Sequence, residues 1–466
     1  MKKNHAIILI PGLFLALFFT SCKPGVQTQA TTPLSKAIDD IATRPINEGR
    51  AAGMTIAVAQ NGEIIHLKGY GMADLEWDIS TPPDATYEIG SVTKQFTSVA
   101  VLQLAEQGKL SLQDNLSKYF SDYDFKGHSI TVEQLFDHTS GIKSYTALPA
   151  FGDLVVKKLP RDTLLRIVEK AGFDFSPGEA LIYNNTAYFM LGLIIEQASD
   201  TTYAAYLEDN VFKLAGLNHT YYCDERKVVK NHAHGYDMGP GGELLLKSYL
   251  DHTWPYAAGS LCSTAEDLVK WNQALHSGKV LSKEMYQKLI TPGQLKDGTP
   301  IRYAKGLSNH ILDGHQMISH GGGINGFLSD SRYYPEADLI IVTLINTAGQ
   351  VSPAEISRKV SWELLDKVNE DLPDFEGGLS AYAGTYTGRG RGRDLTINVA
   401  VTNNELTVQS ENAEKPDTLQ YLGENTWRQK QDTPGNDRIE FRKNAEEEVV
   451  ELRIDQVSGH YVLKKI

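Results

Sequence analysis

The chain has 466 residues, 41% of them hydrophobic and 22% charged, and its formal net charge at pH 7 is −13. That length exceeds what one ordinary core fills, so two domains, or one large domain with an appendage, are expected. The composition is that of a soluble globular chain, and an acidic balance without a basic cluster excludes nucleic acid and a polybasic membrane-surface role.

The chain opens on "MKKNHAIILIPGLFLALFFTSCKPG", two lysines ahead of an apolar run from Ala6 to Phe19, then small residues before Cys22. The run is short for a transmembrane helix and has the layout of a secretory signal. Its ending "FTSC" resembles a bacterial lipobox. That resemblance makes residues 1–22 a lipoprotein signal with Cys22 as the lipidated first residue of the mature chain. The protein is then exported and lipid-anchored to a bacterial membrane, facing the periplasm or the cell surface. Residues 23–32 are free of acidic side chains and read as a flexible tether. Only Cys223 and Cys262 remain. An oxidising compartment permits a disulfide between them, but two buried free thiols is the preferred reading.

Residues 33–49 predict a helix, and "MTIAVAQNGEIIHLKGYG" reads as two strands joined by Asn61-Gly62, a type I′ hairpin signal. Residues 91–107 predict a helix that is apolar nearly all round, hence buried, with Gly108 as its stop. The reading stays mainly helical to about residue 300. Strands return in "GFLSDSRYYPEADLIIVTLINT", and an amphipathic helix ends near residue 368. Strands at both ends with helices between them imply an α+β domain over residues 33–370: an antiparallel sheet flanked by helices, with a helical insert. Residues 371–379 read as a linker, and residues 380–466 as a small antiparallel all-β barrel built from seven short strand-like runs.

Three motifs carry chemistry. "EIGSVTKQF" puts Ser91 three residues before Lys94 at the mouth of the buried helix. A serine there caps the helix. It also suits a nucleophile whose base lies one turn up the same face, near a helix N-terminus that favours developing negative charge. A second Ser-x-x-Lys, Ser140–Lys143, lies in a stretch without helical periodicity and reads as a loop. Tyr183-Asn184-Asn185 stands just ahead of a helical run; a tyrosine there relays a proton and an asparagine orients a lysine and a substrate carbonyl. The plainer reading is a surface tyrosine with Asn185 as the helix cap. His320 precedes three glycines at a strand edge, where glycine allows close approach of a substrate and backbone amides can face an oxyanion.

In this order the motifs "SVTK", "YNN" and "HGG" resemble the serine hydrolases of the class C β-lactamase and D-alanyl-D-alanine carboxypeptidase type, over residues 33–366. The C-terminal part resembles the lipocalin-like barrels appended to some members. The resemblance implies Ser91 as acyl-enzyme nucleophile, Lys94 and Tyr183 as sharers of the general-base work, and Asn185, His320, Gly322 and Gly323 as substrate-binding. The amides of Ser91 and Gly323 then form the oxyanion hole, and which of Lys94 or Tyr183 takes the proton first stays open. No cofactor and no metal are implied. The expected partners are a small-molecule or peptide substrate, such as a peptidoglycan stem peptide, with β-lactams as acylating ligands. β-Lactamases usually carry lysine where His320 stands, and an unperturbed histidine titrates near ~6.5. That departure points to D-alanyl peptidases, amidases and esterases ahead of β-lactamases, with a slowly turning penicillin sensor as the non-enzyme alternative. A zinc hydrolase finds little support, because neither His310/His315/His320 nor "HAH" at 232–234 is joined by a carboxylate or cysteine cluster in the sequence. An α/β-hydrolase is excluded by the absence of Gly-x-Ser-x-Gly.

Overall fold

The computed structural model describes residues 32–466 except 225, 367, 369 and 431–436; the predicted signal, Cys22 and the tether up to residue 31 lie outside them. The Asn61-Gly62 hairpin joins β1 (Gly53–Gln60) to β2 (Glu63–Asp74), with φ of 50° and 81° at the two turn residues, the positive values a type I′ turn requires. β1 is buried along nearly its whole length, as a central strand covered on both faces must be. Its other neighbour is β13 (Leu339–Ile345), paired antiparallel from Met54↔Ile345 to Gln60↔Leu339. With β3 (Ile79–Ser80), β10 (Ser308–Leu312), β11 (His315–Ile324) and β12 (Phe327–Tyr334), these form one sheet in the order β10-β11-β12-β13-β1-β2-β3. Strands from both ends of the region thus meet in a single sheet.

The two-residue period of β1 divides the core. Met54, Ile56 and Val58 pack with Ile38 and Ala42 of the Pro33–Asn47 helix and with Ile356 and Val360 of the Pro353–Ser361 helix. Ala57 and Ala59 face the other way, into the larger core with Phe96 and Trp271. Each large aliphatic side chain so buried stabilises the fold by about 1.5–3 kcal/mol. The Thr93–Glu106 helix runs through that larger core, buried continuously from Thr93 to Leu104, and Gly108 leaves it with φ of 71°. The last helix of the domain is shorter than expected, ending at Ser361.

The middle of the domain is not wholly helical. β4 (Thr86–Glu88), β9 (Leu261–Thr264) and β6 (Tyr221–Tyr222) form one small sheet; β14 (Thr347–Ala348), β7 (Tyr236–Met238) and β8 (Leu244–Leu246) form another. The first of these corrects the free-thiol expectation. β6 lies beside β9 with Tyr221 opposite Cys262, which brings the Cα atoms of Cys223 and Cys262 to 5.4 Å, and the two are joined in a disulfide. Strand adjacency across 39 residues decides that pairing, and linear sequence does not display it.

The α+β domain is followed by the expected barrel, a closed ring of eight antiparallel strands: β15 (Gly384–Arg389), β16 (Asp394–Thr402), β17 (Glu405–Ser410), β18 (Asp417–Gly423), β19 (Thr426–Gln429), β20 (Arg438–Lys443), β21 (Val449–Gln456) and β22 (Gly459–Lys465). β15 pairs with β22 and closes it. Tyr386, Trp427, Phe441 and Leu452 fill its interior. The barrel is not loosely appended. β22 pairs with β5 (Leu181–Ile182), His460 opposite Leu181, in the segment immediately before Tyr183. Arg302 meets Asp455 at 2.9 Å and Arg453 meets Asp297 at 2.6 Å across the same junction.

Candidate active site

Ser91 sits in a single 3-10 turn, Gly90–Val92, that leads into the Thr93–Glu106 helix, and it makes no side-chain cap. Its hydroxyl is therefore free of backbone duty. The turn starts at Gly90, whose φ is 50° and where a Cβ would stand 2.8 Å from the amide nitrogen of Gly323. At Gly322 a Cβ would stand 2.1 Å from the Ile89 carbonyl oxygen. Glycine is required at both places, because the edge of β11 lies directly against the turn that holds Ser91.

Lys94 is fully buried, and its Nζ reaches Ser91 Oγ at 3.1 Å, Asn185 Oδ1 at 2.9 Å and the Ala258 carbonyl oxygen at 2.7 Å. Burial, helped by the positive charge of Arg391, holds its pKa well below the ordinary lysine value. Asn185 opens the Asn185–Ser199 helix, but the cap is Asn184, whose Oδ1 accepts from the Ala187 amide at 3.1 Å. This leaves the Asn185 side chain to accept from Lys94 and to donate from Nδ2 to Thr146 Oγ1 at 3.3 Å.

Tyr183 is half-buried between Lys94 Nζ, 4.8 Å from its ring centroid, and the His138 ring at 4.5 Å. Its hydroxyl has no hydrogen-bond partner among the described residues, although Ser91 lies near enough to act on its pKa in the lowering direction. Burial outweighs that and pushes the phenol well above its usual value, so it stays protonated. His320 is held near a pKa of about 3 by burial and by the neighbouring Lys94. Its Nδ1 lies 2.5 Å from the Gly321 carbonyl, which only accepts, so Nδ1 carries the hydrogen and Nε2 accepts from Tyr303 Oη at 2.9 Å. The histidine is thus neutral with both ring nitrogens engaged by the protein, and it brings no charge to a substrate.

Ser91, Tyr183, His320, Gly322 and Gly323 line one cavity of about 640 Å³. A smaller recess of about 130 Å³ also reaches Ser91, lined by the apolar Tyr145, Phe151, Leu250 and Pro255 together with Thr146 and Asn185. The structure therefore brings all the sequence-predicted residues together except Cys22, which lies outside the described residues. Sequence reasoning missed Thr146 and Ser144, which hold Asn185; Tyr303, which holds His320; and Arg391, which enters the cavity from the barrel. It also passed over His138, whose ring lies 4.5 Å from that of Tyr183. No local signal marks the others. Ser140 and Lys143 lie in a loop, as expected, with Lys143 paired to Asp174 at 3.1 Å. His234 of "HAH" does find carboxylates, Asp74 Oδ2 at 3.4 Å and Glu76 Oε2 at 3.9 Å, contrary to the sequence-based expectation, because β2 brings them alongside. His232 turns instead toward the disulfide.

Residues 36–364 match the Beta-lactamase family. Protein flp of Staphylococcus aureus (strain N315) is 27% identical over 331 residues, 70% of this chain and 66% of that protein, so the match spans just under two thirds of the relative. The octameric penicillin-binding protein homologue from Pyrococcus abyssi has a similar fold, with a TM-score of 0.65, 24% identity, and 93% of this chain and 100% of that chain covered. That coverage takes in the barrel. A D-stereospecific amidohydrolase from a Streptomyces species aligns with a TM-score of 0.60 and 25% identity over 70% of this chain and 97% of that one. With residues 36–364 matched on this fold, the chain belongs to the serine β-lactamase-related family of hydrolases.

Proposed function

We propose that the protein is an exported serine hydrolase that forms an acyl-enzyme on Ser91 and acts on D-alanyl peptides, D-amino-acid amides or esters. One observation carries the reading: the buried Lys94 amine bonded at once to Ser91 Oγ, Asn185 Oδ1 and the Ala258 carbonyl. With its pKa held down, the amine is readily neutral. A neutral amine has two N–H donors, and the two carbonyl oxygens take them. Its lone pair is then left for the Ser91 hydroxyl, which donates.

Ser91 Oγ attacks the substrate carbonyl carbon while its proton passes to Lys94, and the oxyanion develops toward the amides of Ser91 and Gly323. Collapse of the tetrahedral adduct breaks the bond to the amine or alcohol, which leaves with a proton. Water then cleaves the ester on Ser91. The raised phenol of Tyr183 makes it a proton relay to the leaving group, so Lys94 is the first acceptor. The D-configured substrate class follows the Streptomyces amidohydrolase among the similar structures. A β-lactamase reading ranks lower, because the neutral His320 supplies no cation in the third motif. Export and lipidation at Cys22 rest on the N-terminal sequence.

The test is intact mass of residues 23–466 after incubation with a penicillin, beside turnover of p-nitrophenyl acetate, each with Ser91→Ala as control. One covalent adduct per chain, or Ser91-dependent ester turnover, is the expected outcome; absence of both sinks the proposal.

A further inference from the structure

We infer that Arg391, carried into the Ser91 cavity by the barrel, is a specificity-determining residue that binds a free carboxylate on the substrate. The inference deepens the acyl-enzyme reading and rests on it. Arg391 lies in the four-residue turn between β15 and β16, and its guanidinium lines the same cavity as Ser91, Tyr183 and His320. It stands 5.5 Å from the centroid of the Tyr183 ring and donates from Nη2 to Thr146 Oγ1 at 2.6 Å. Thr146 Oγ1 in turn accepts from Asn185 Nδ2, the amide whose oxygen holds Lys94. Two residues, Thr146 and Asn185, thus separate the guanidinium from the general base.

The turn is held where it is. At Gly392, with φ of 72°, a Cβ would come within 2.7 Å of Ala147 Cβ, so the turn packs directly on the 144–147 loop. Arg389 at its base bonds the Asp174 carbonyl at 3.1 Å, and β22 is hydrogen-bonded to β5 next to Tyr183.

The other arginines of the cavity are already neutralised, Arg332 by Asp330 at 2.7 Å and Arg358 by Asp313. Among the described residues Arg391 meets no carboxylate; this exposed side chain lines the cavity and spends one N–H on Thr146, which leaves the other N–H groups of its planar fork for a ligand. A guanidinium in that state recognises a carboxylate by two parallel hydrogen bonds. It supplies from the barrel the positive charge that the neutral His320 does not supply from β11. The substrate this selects is an acyl compound whose chain ends in a carboxylate, such as a peptide with a free C-terminus, ahead of its amide or neutral ester.

The test compares two aryl esters of N-acetylglycine, a phenyl ester and a meta-carboxyphenyl ester, on the full mature chain. Wild type, Arg391→Ala, Arg391→Lys and Ser91→Ala are assayed under identical conditions. Wild type should favour the carboxylate ester in kcat/KM. Arg391→Ala should reduce that preference at least about tenfold, and Arg391→Lys should restore part of it. Equal loss on both esters would show that Arg391 only steadies Thr146 and Asn185, and an unchanged preference would show that the carboxylate goes elsewhere; either result overturns the inference while leaving the acyl-enzyme reading standing. If wild type shows no Ser91-dependent hydrolysis of either ester, the acyl-enzyme reading fails and this inference with it.

Discussion

The chemistry of the site turns on how few charges surround Lys94. The groups facing it are Tyr183 and Tyr188, whose phenols burial pushes up, His138 and His320, which burial pushes down, and Arg391. Only the guanidinium carries a charge, and it disfavours the lysine's proton. The acidic limb of kcat/KM should therefore lie well below the ordinary lysine value, with activity falling as Lys94 gains its proton. Removing the guanidinium with Arg391→Gln removes a repulsion and raises the Lys94 pKa, so the limb should move to higher pH. A profile of ester turnover from pH 4 to pH 10 reads both. Lys94→Arg puts a permanent cation there with no lone pair to accept the Ser91 proton, and it should cost about 10²–10⁴-fold in turnover. A variant retaining a tenth of wild-type activity would remove Lys94 from the base role.

At the scale of elements, short strands do what composition does not announce. β4, β6 and β9 are two to four residues long, yet they set Cys262 opposite both Tyr221 and Glu88, three residues ahead of Ser91. The resulting disulfide closes a loop with a sequence separation of 39, which in the chain-entropy account stabilises the fold by about 4 kcal/mol. Cys223→Ala should lower Tm, and dithiothreitol should lower the wild-type Tm toward it while leaving the variant unmoved. A wild-type melt indifferent to reductant would contradict this. The barrel teaches the same lesson. Seven strands were legible as alternating runs, but the eighth, Thr426–Gln429, is too short to show a period and hides behind the Glu424–Asn425 turn. The long buried helix and the type I′ hairpin were legible because each carries a strong local signal: uninterrupted apolarity in one, Asn-Gly in the other.

Across the whole molecule, buried histidines set the acid limit of stability. His276, His310 and His320 all have folded pKa values of about 3, against 6.5 in the open chain. Above pH 6.5 the two states bind equal protons at these groups. Below it the unfolded chain takes protons that the folded one refuses, so stability falls as pH drops from 6.5 toward 3, by up to about 1.4 kcal/mol per pH unit for each group. Asp137, raised to about 6 by burial, works in the opposite direction between 6 and 3.8, but it stands against these three histidines and His138, which burial also pushes down. Urea midpoints at pH 7.5, 5.5 and 4.5 should decline in that order, and His310→Gln should flatten the decline. A flat wild-type series would mean that water reaches these rings.

The sequence by itself determined the order of the three motifs, the α+β class, the buried helix behind Ser91 and the presence of an antiparallel barrel, because each is written in local periodicity or in residues close together in the chain. Tertiary structure alone decided that the barrel reaches the Ser91 cavity. Arg391 lies 300 residues after Ser91 in the chain, and nothing in "GRGRGRD" separates it from any other exposed arginine. It enters the cavity only because β22 pairs with β5 and the 390–393 turn settles on the 144–147 loop. The same holds for the pKa of Lys94, the partners of His320 and the disulfide. Burial and the proximity of distant segments set them, and neither is a property of a residue's neighbours in sequence.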